Sequence, residues 1–158
     1  MNIIDLFSGV GGLSLGFEQN GYKNILSIDN WDDAIKTYNH NRKDKNGLVE
    51  DIALFNEKYL SSFIKNNEIS GVIGGPPCQG FSSARLSDTS RNTQNINIDR
   101  NNLVFDFFKT VKIVKPKFFI IENVRGMLNI DNGKFLRDVI RLFNEIGYNV
   151  TYELIDTS

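Results

Sequence analysis

The chain has 158 residues, enough for one domain with a single core. Its hydrophobic share of 41% and charged share of 23% are those of a globular domain, and its net charge of -1 shows none of the basic excess expected of a protein that grips phosphates. One cysteine excludes an internal disulfide, and no apolar run approaches the ~20 residues of a membrane span. With no signal-like N-terminal segment either, a cytoplasmic protein is expected.

Asn2 to Phe7 (NIIDLF) is an apolar run suited to a buried parallel strand. It ends in Ser8-Gly9-Val10-Gly11-Gly12, after which Leu13, Leu15 and Phe17 begin a helical pattern closed by Gly21. Strand, glycine loop, helix is the opening of a nucleotide-binding α/β unit. Asn24 to Ile28 predicts the second strand, ending at Asp29, and Ala34, Ile35 and Tyr38 predict a helix from Trp31 to about Asn41. A short strand is expected at Leu48 to Ile52, and a helix around Phe55, Leu60, Phe63 and Ile64.

Gly71 to Gly74 predicts a further strand, running into Gly75-Pro76-Pro77-Cys78-Gln79-Gly80-Phe81-Ser82. Proline fixes its own backbone and biases the residue before it toward an extended shape, so the two prolines make a stiff shoulder for the only thiol. By residue type alone, a lone intracellular cysteine is usually a small buried apolar group. Ser87 to Arg100 is polar and reads as a long exposed loop. Leu103, Val104, Phe107, Phe108, Val111 and Val114 fall at helical spacing, and Pro116 stops that helix. Lys117 to Ile121 predicts a buried strand ending at Glu122-Asn123, and Phe135 to Ile146 a last helix closed by Gly147. Asn149 to Ile155 is expected as a final strand. The alternation of strands and helices predicts a mostly parallel, doubly wound α/β sheet.

Two constellations carry chemistry. Gly9-Val10-Gly11 opens a dinucleotide fingerprint, and Asp29 lies 20 residues later, the distance for a carboxylate that accepts ribose hydroxyls. Ser14 stands where the third glycine of that fingerprint would be, and no Walker lysine is present, which favours a nucleoside cofactor without phosphates. Glu122 ends an apolar strand, so it should be partly desolvated, suited to proton donation, and close to Cys78 if the two strands are neighbours. The bland alternative is a Glu that caps the next helix or pairs with Arg125. The only histidine, His40, is far off in the chain, which argues against a Cys-His hydrolase; a dithiol redox centre and a metal site lack their residues.

DLFSGVGG, an acidic residue ending strand two, GGPPCQGFS and ENVRGM, in this order, make the chain resemble the bacterial DNA (cytosine-5-)methyltransferases. The resemblance implies a Rossmann-like fold dependent on S-adenosylmethionine. It implies that residues 1–158 are the N-terminal part of the catalytic domain, with the fold incomplete on its C-terminal side. The cofactor would meet Phe7, Ser8, Gly9, Gly11, Gly12, Asp29, Asn30, Trp31, Asp51, Ile52, Pro76 and Leu103. The family more often has Glu at Asp29 and a bulky apolar residue at Asn30, and Asn101-Asn102 replaces its usual Gly-containing pair. Cys78 would be the nucleophile and Glu122 the acid, acting on a cytosine flipped out of DNA. Pro77, Gln79, Ser82, Asn123 and Val124 would contact or support that base, with Arg85, Arg91 and Arg100 on a loop that closes over it.

The family's later arginine motif and target recognition domain are not in this sequence, which fits the near-neutral charge. A second polypeptide, or the remainder of a longer chain, is therefore the expected partner beside DNA. The alternatives are one subunit of a split methyltransferase and a noncatalytic cofactor-binding or interaction fragment; an RNA cytosine methyltransferase ranks below both.

Overall fold

A computed structural model of the chain describes residues 1–54, 57–77 and 103–156. Strands β1 (Asn2–Leu6), β2 (Lys23–Asp29), β3 (Gly47–Val49), β4 (Ile69–Gly74) and β5 (Phe118–Ile121) form one parallel sheet in the order β3-β2-β1-β4-β5. Helices α1 (Gly12–Gln19), α2 (Asp32–His40), α3 (Glu57–Ile64), α4 (Leu103–Val114) and α5 (Lys134–Glu145) connect or follow them. The order reverses between β1 and β4, the switch point beside which open α/β sheets bind ligands at their carboxyl ends. Among the described residues, no helix is long and apolar enough to cross a membrane.

The two faces of β1 are chemically different. Ile4 and Leu6 join the main apolar core with Val72 of β4 and with Val104, Phe107 and Val111 of α4. That core extends to α5 through Phe143, which stacks on Phe119 at 4.1 Å and meets Phe108 edge-on at 5.3 Å. Aromatic contacts of this kind add about 0.5–1.5 kcal/mol each beyond their buried area. On the other face, beside Ile3 and Ile73, the layer carries polar groups: Asp5, Ser14, Asn24 and Ser27 are all buried, and Tyr38 is fully enclosed. Asn24 Nδ2 donates to Ser27 Oγ at 2.7 Å and to the Tyr38 hydroxyl at 3.0 Å.

Most elements lie where periodicity puts them, and three differences have local causes. The strand expected to Ile52 ends at Val49. Asp51 Oδ1 accepts the Ala53 N–H at 2.9 Å and turns the chain into a 3₁₀ helix at Ile52–Leu54. A second 3₁₀ segment, Arg125–Gly133, is interrupted by Asp131 and Asn132 in the left-handed region. Residues 149–156 form no strand, and no described strand pairs with the outer edge of β5. An apolar alternation becomes a strand only with a ladder to join, and here none is in place.

Candidate cofactor pocket and strand-end loops

The glycine loop leaves β1 through Phe7, whose φ of 57° lies in the left-handed region, a strained state for an aromatic residue. Gly9 (φ 52°) and Gly11 (φ 86°) continue the tight path at no such cost. The end of β2 fixes the loop from outside. Asp29 Oδ2 accepts the Gly9 N–H at 2.8 Å, and Oδ1 accepts the Trp31 N–H at 2.9 Å. Each carboxylate oxygen keeps one further acceptor position.

A pocket of ≈ 200 Å³ opens at this point. Phe7, Asp29, Asn30, Asp51, Ile52 and Leu103 line it, six of the residues assigned to the cofactor from sequence, together with Pro77. Ile28, Glu50 and Gly75 complete the lining. Sequence reasoning passed over these three, although Glu50 and Gly75 directly follow strand ends and Ile28 precedes one. Ser8, Gly9, Gly11, Gly12, Trp31 and Pro76 do not line it. Trp31 is 65% exposed, because its backbone is committed to Asp29 and α2 starts at the next residue. The Ser8 hydroxyl is buried with no hydrogen-bond partner among the described residues.

The lining has one apolar side, from Phe7, Ile28, Ile52 and Leu103, and three carboxylates, Asp29, Glu50 and Asp51. It contains no basic side chain among the described residues. A pyrophosphate would meet uncompensated like charge there, whereas a cationic nucleoside would not. Among the described residues no group of His, Cys, Asp and Glu could hold a metal ion.

On the far side of Gly75 lies Glu122. The β4–β5 ladder, in register at Gly74 and Ile121, continues one step further: Glu122 N–H donates to the Gly74 carbonyl at 3.0 Å. A Cβ on Gly75 would stand 3.0 Å from Glu122 Oε2, so the carboxylate rests against the backbone that also walls the pocket. Glu122 is exposed among the described residues, not sunk at the lip of its strand as expected. Its neighbour Asn123 reaches across and donates Nδ2–H to the Pro76 carbonyl at 2.9 Å, while Val124 is exposed. Cys78, Gln79 and Ser82, and the arginines at 85, 91 and 100, lie outside the described residues.

Beneath the glycine loop, Asp5 is 1% exposed and neither carboxylate oxygen has a hydrogen-bond partner in place among the described residues. The Ser14 hydroxyl donates to the Gly11 carbonyl at 3.3 Å and is also near enough to Asp5 to favour its charged form. Burial pushes the Asp5 carboxyl up to about 7, against smaller opposing effects of Ser14 and of the Arg42 charge. The folded protein therefore holds a proton that the unfolded chain has lost above the ordinary value of 3.8. Stability should fall as pH rises from about 4 to about 7 and then level, by up to about 4 kcal/mol from this group. Denaturant titrations of native protein and Asp5→Asn across that range should show the native decline and a flatter line for the variant. Parallel lines would exclude Asp5 as its source.

A sequence profile of the C-5 cytosine-specific DNA methylase family matches residues 1–158. The chain is 41% identical over 155 residues to the Type II methyltransferase M.DdeI of Desulfomicrobium norvegicum, covering 95% of this chain and 35% of that protein. It is 35% identical over 159 residues to the Type II methyltransferase M1.HphI of Haemophilus parahaemolyticus, covering all of this chain and 41% of the relative. The chain thus spans about two-fifths of the length of the curated relatives it matches. Among solved structures it resembles a prophage-encoded Escherichia coli protein described as a candidate DNA modification methyltransferase, with a TM-score of 0.73 at 35% identity over 92% of this chain and 38% of that one. The fold also matches the Dnmt2 methyltransferase of S. pombe, with a TM-score of 0.64 at 22% identity over 89% of this chain and 40% of that one.

Proposed function

Because the chain belongs to the C-5 cytosine-specific DNA methylase family, we propose that it is the cofactor-binding and nucleophile-bearing part of an enzyme that methylates carbon 5 of cytosine in DNA. The observation that carries this reading is the pocket at the switch point, acidic, free of basic groups among its described lining residues and walled by the backbone against which Glu122 rests. S-adenosylmethionine, a nucleoside with a sulfonium and two ribose hydroxyls, suits that lining and would supply an electrophilic methyl group there. Phe7, Ile52 and Leu103 would pack on its apolar surfaces, with Asn30 and Asp51 at the rim. The open acceptor positions of Asp29 would take the ribose hydroxyls.

Cys78 follows the stiff Pro76-Pro77 shoulder at the end of β4. Its thiolate would add to carbon 6 of a cytosine turned out of the duplex, since attack needs the face of the ring. Glu122 would hydrogen-bond ring nitrogen 3 and hold a proton there as charge builds. Carbon 5 would thereby become nucleophilic and take the methyl group as its bond to the sulfonium breaks and leaves the neutral thioether; loss of the carbon-5 proton to water would then expel the Cys78 thiolate. Asn123 would keep the shoulder in place through the Pro76 carbonyl. The remaining DNA contacts would come from the rest of the enzyme, on the same or a second polypeptide.

Calorimetry with S-adenosylhomocysteine tests the cofactor reading directly. Asp29→Asn replaces one acceptor by an NH₂ group facing a backbone N–H, and roughly tenfold weaker binding is expected. Methyl transfer to DNA by the chain joined with the remainder of a family member tests the reaction. Binding without transfer would leave a cofactor-binding module; no binding by the native chain would remove the reading.

A further inference from the structure

Arg42 lies just past α2 and has no part in the chemistry above, yet its side chain is only 12% exposed. Nη2 donates to the Gly11 carbonyl at 2.8 Å and to Ser14 Oγ at 3.4 Å, and Nη1 donates to the Val10 carbonyl at 3.4 Å. Nε faces the Glu18 carboxylate at 3.3 Å. The guanidinium lies 3.9 Å over the ring of Tyr38, whose hydroxyl is held by Asn24 and Asn46 at 3.0 Å each. A planar cation anchored on an enclosed tyrosine thus grips two successive carbonyls of the glycine loop.

The Glu18 carboxylate balances its charge, but the helix end does not favour it there. Gly11 caps the N-terminus of α1, where the helix dipole disfavours a cation. Arginine is also a residue that normally keeps its charge in water. What its position does supply is a fork of donors matched to several acceptors at once, which a lysine cannot offer. Contact is close: a Cβ on Gly11 would stand 2.6 Å from both Arg42 Nη1 and the Tyr38 ring. Two left-handed glycines give the free loop many alternative shapes, and Asp29 pins it only at Gly9. The Val10–Gly11 end is held locally by the Gly11 N–H on the Ser8 carbonyl at 2.8 Å and by the Leu15 and Ser14 donors on the Gly11 carbonyl, and Arg42 adds the tie to α2.

We propose that Arg42 is a positioning residue that fixes the glycine loop in the shape that receives the cofactor. The second half of this statement rests on the cofactor reading given above; the first half, the order of the loop, does not. The test compares the native chain with Arg42→Met, which keeps the apolar stem and loses the fork, and Arg42→Lys, which keeps the charge. Amide hydrogen exchange is followed in peptides covering the loop and in peptides covering β1, β2 and β4, without cofactor; S-adenosylhomocysteine is then titrated into each protein. In Arg42→Met, loop exchange should rise about tenfold with the strands unchanged, and the Kd should rise roughly tenfold, with Arg42→Lys intermediate. Unchanged loop exchange, or equally faster exchange throughout the sheet, would overturn the positioning role. Faster loop exchange with an unchanged Kd would overturn its link to the cofactor. If the native chain binds no S-adenosylhomocysteine, the cofactor reading itself fails, and loop exchange alone decides whether Arg42 orders the loop.

Discussion

Methyl transfer should fall by roughly 10⁴-fold or more when Cys78 is replaced by serine in the chain joined with the rest of the catalytic domain. The reason is chemical. A thiolate forms readily near neutral pH and is strongly nucleophilic, whereas a serine hydroxyl stays protonated unless a base removes its proton. The only histidine, His40, sits exposed at the end of α2 and cannot serve. Two measurements separate this loss from misfolding. S-adenosylhomocysteine affinity should be unchanged, because the described pocket reaches only to Pro77. The covalent complex with DNA containing 5-fluorocytosine, which traps the adduct by withholding the leaving proton, should disappear. A serine variant that still methylates would sink the covalent mechanism.

The second large effect is on stability. Gly74 pairs with Leu6 across the centre of the sheet, and a Cβ there would fall on the Leu6 carbonyl oxygen, 3.2 Å from Leu6 Cβ. Both are parts of a ladder buried on two faces, so neither strand can yield without breaking hydrogen bonds. Gly74→Ala should cost about 3 kcal/mol or more and shift the end of β4 that walls the pocket. Gly71 is the control three residues earlier. A Cβ there would meet the ring of Phe118, a half-buried side chain that can shift only against Phe17 and Tyr22, so Gly71→Ala should cost less than Gly74→Ala, about 1–2 kcal/mol. Chemical denaturation of both variants should preserve that order; equal losses would show that the strand yields as easily as the ring. If Gly74→Ala yields no soluble protein while Gly71→Ala does, the order still stands.

Much of this architecture was legible because parallel sheets write their buried strands as apolar runs. VIGG announces a central strand and KFFII its neighbour, which lies at the edge of the described sheet and is half exposed where its apolar run predicts burial; their neighbourhood brings Glu122 beside Gly75. Asp29 was legible because one turn of a βαβ unit fixes the spacing between a glycine loop and the end of the next strand. What escaped depends on side chains that meet only in three dimensions. Asp5 stands inside an apolar run and reads as part of a strand; nothing local says that it faces Ser14 and not the apolar core. Arg42 follows a helix with nothing local to mark it, since its hydrogen-bond partners lie 24 to 32 positions away. Asp51 takes its own downstream amide and ends a strand early. Trp31 turns outward because of what its backbone does, which no side-chain pattern encodes.

The bond from Asn123 to the Pro76 carbonyl has a thermodynamic side. With the Glu122–Gly74 link it fastens the carboxyl ends of β4 and β5 just beyond the regular ladder. The Pro76 shoulder and the backbone of Glu122 are therefore held at a set separation, which the proposed reaction would find already in place. On the proposed mechanism, association with a base would then have less backbone freedom to remove at this point, and more of the contact energy would be left to extract the cytosine from its stack.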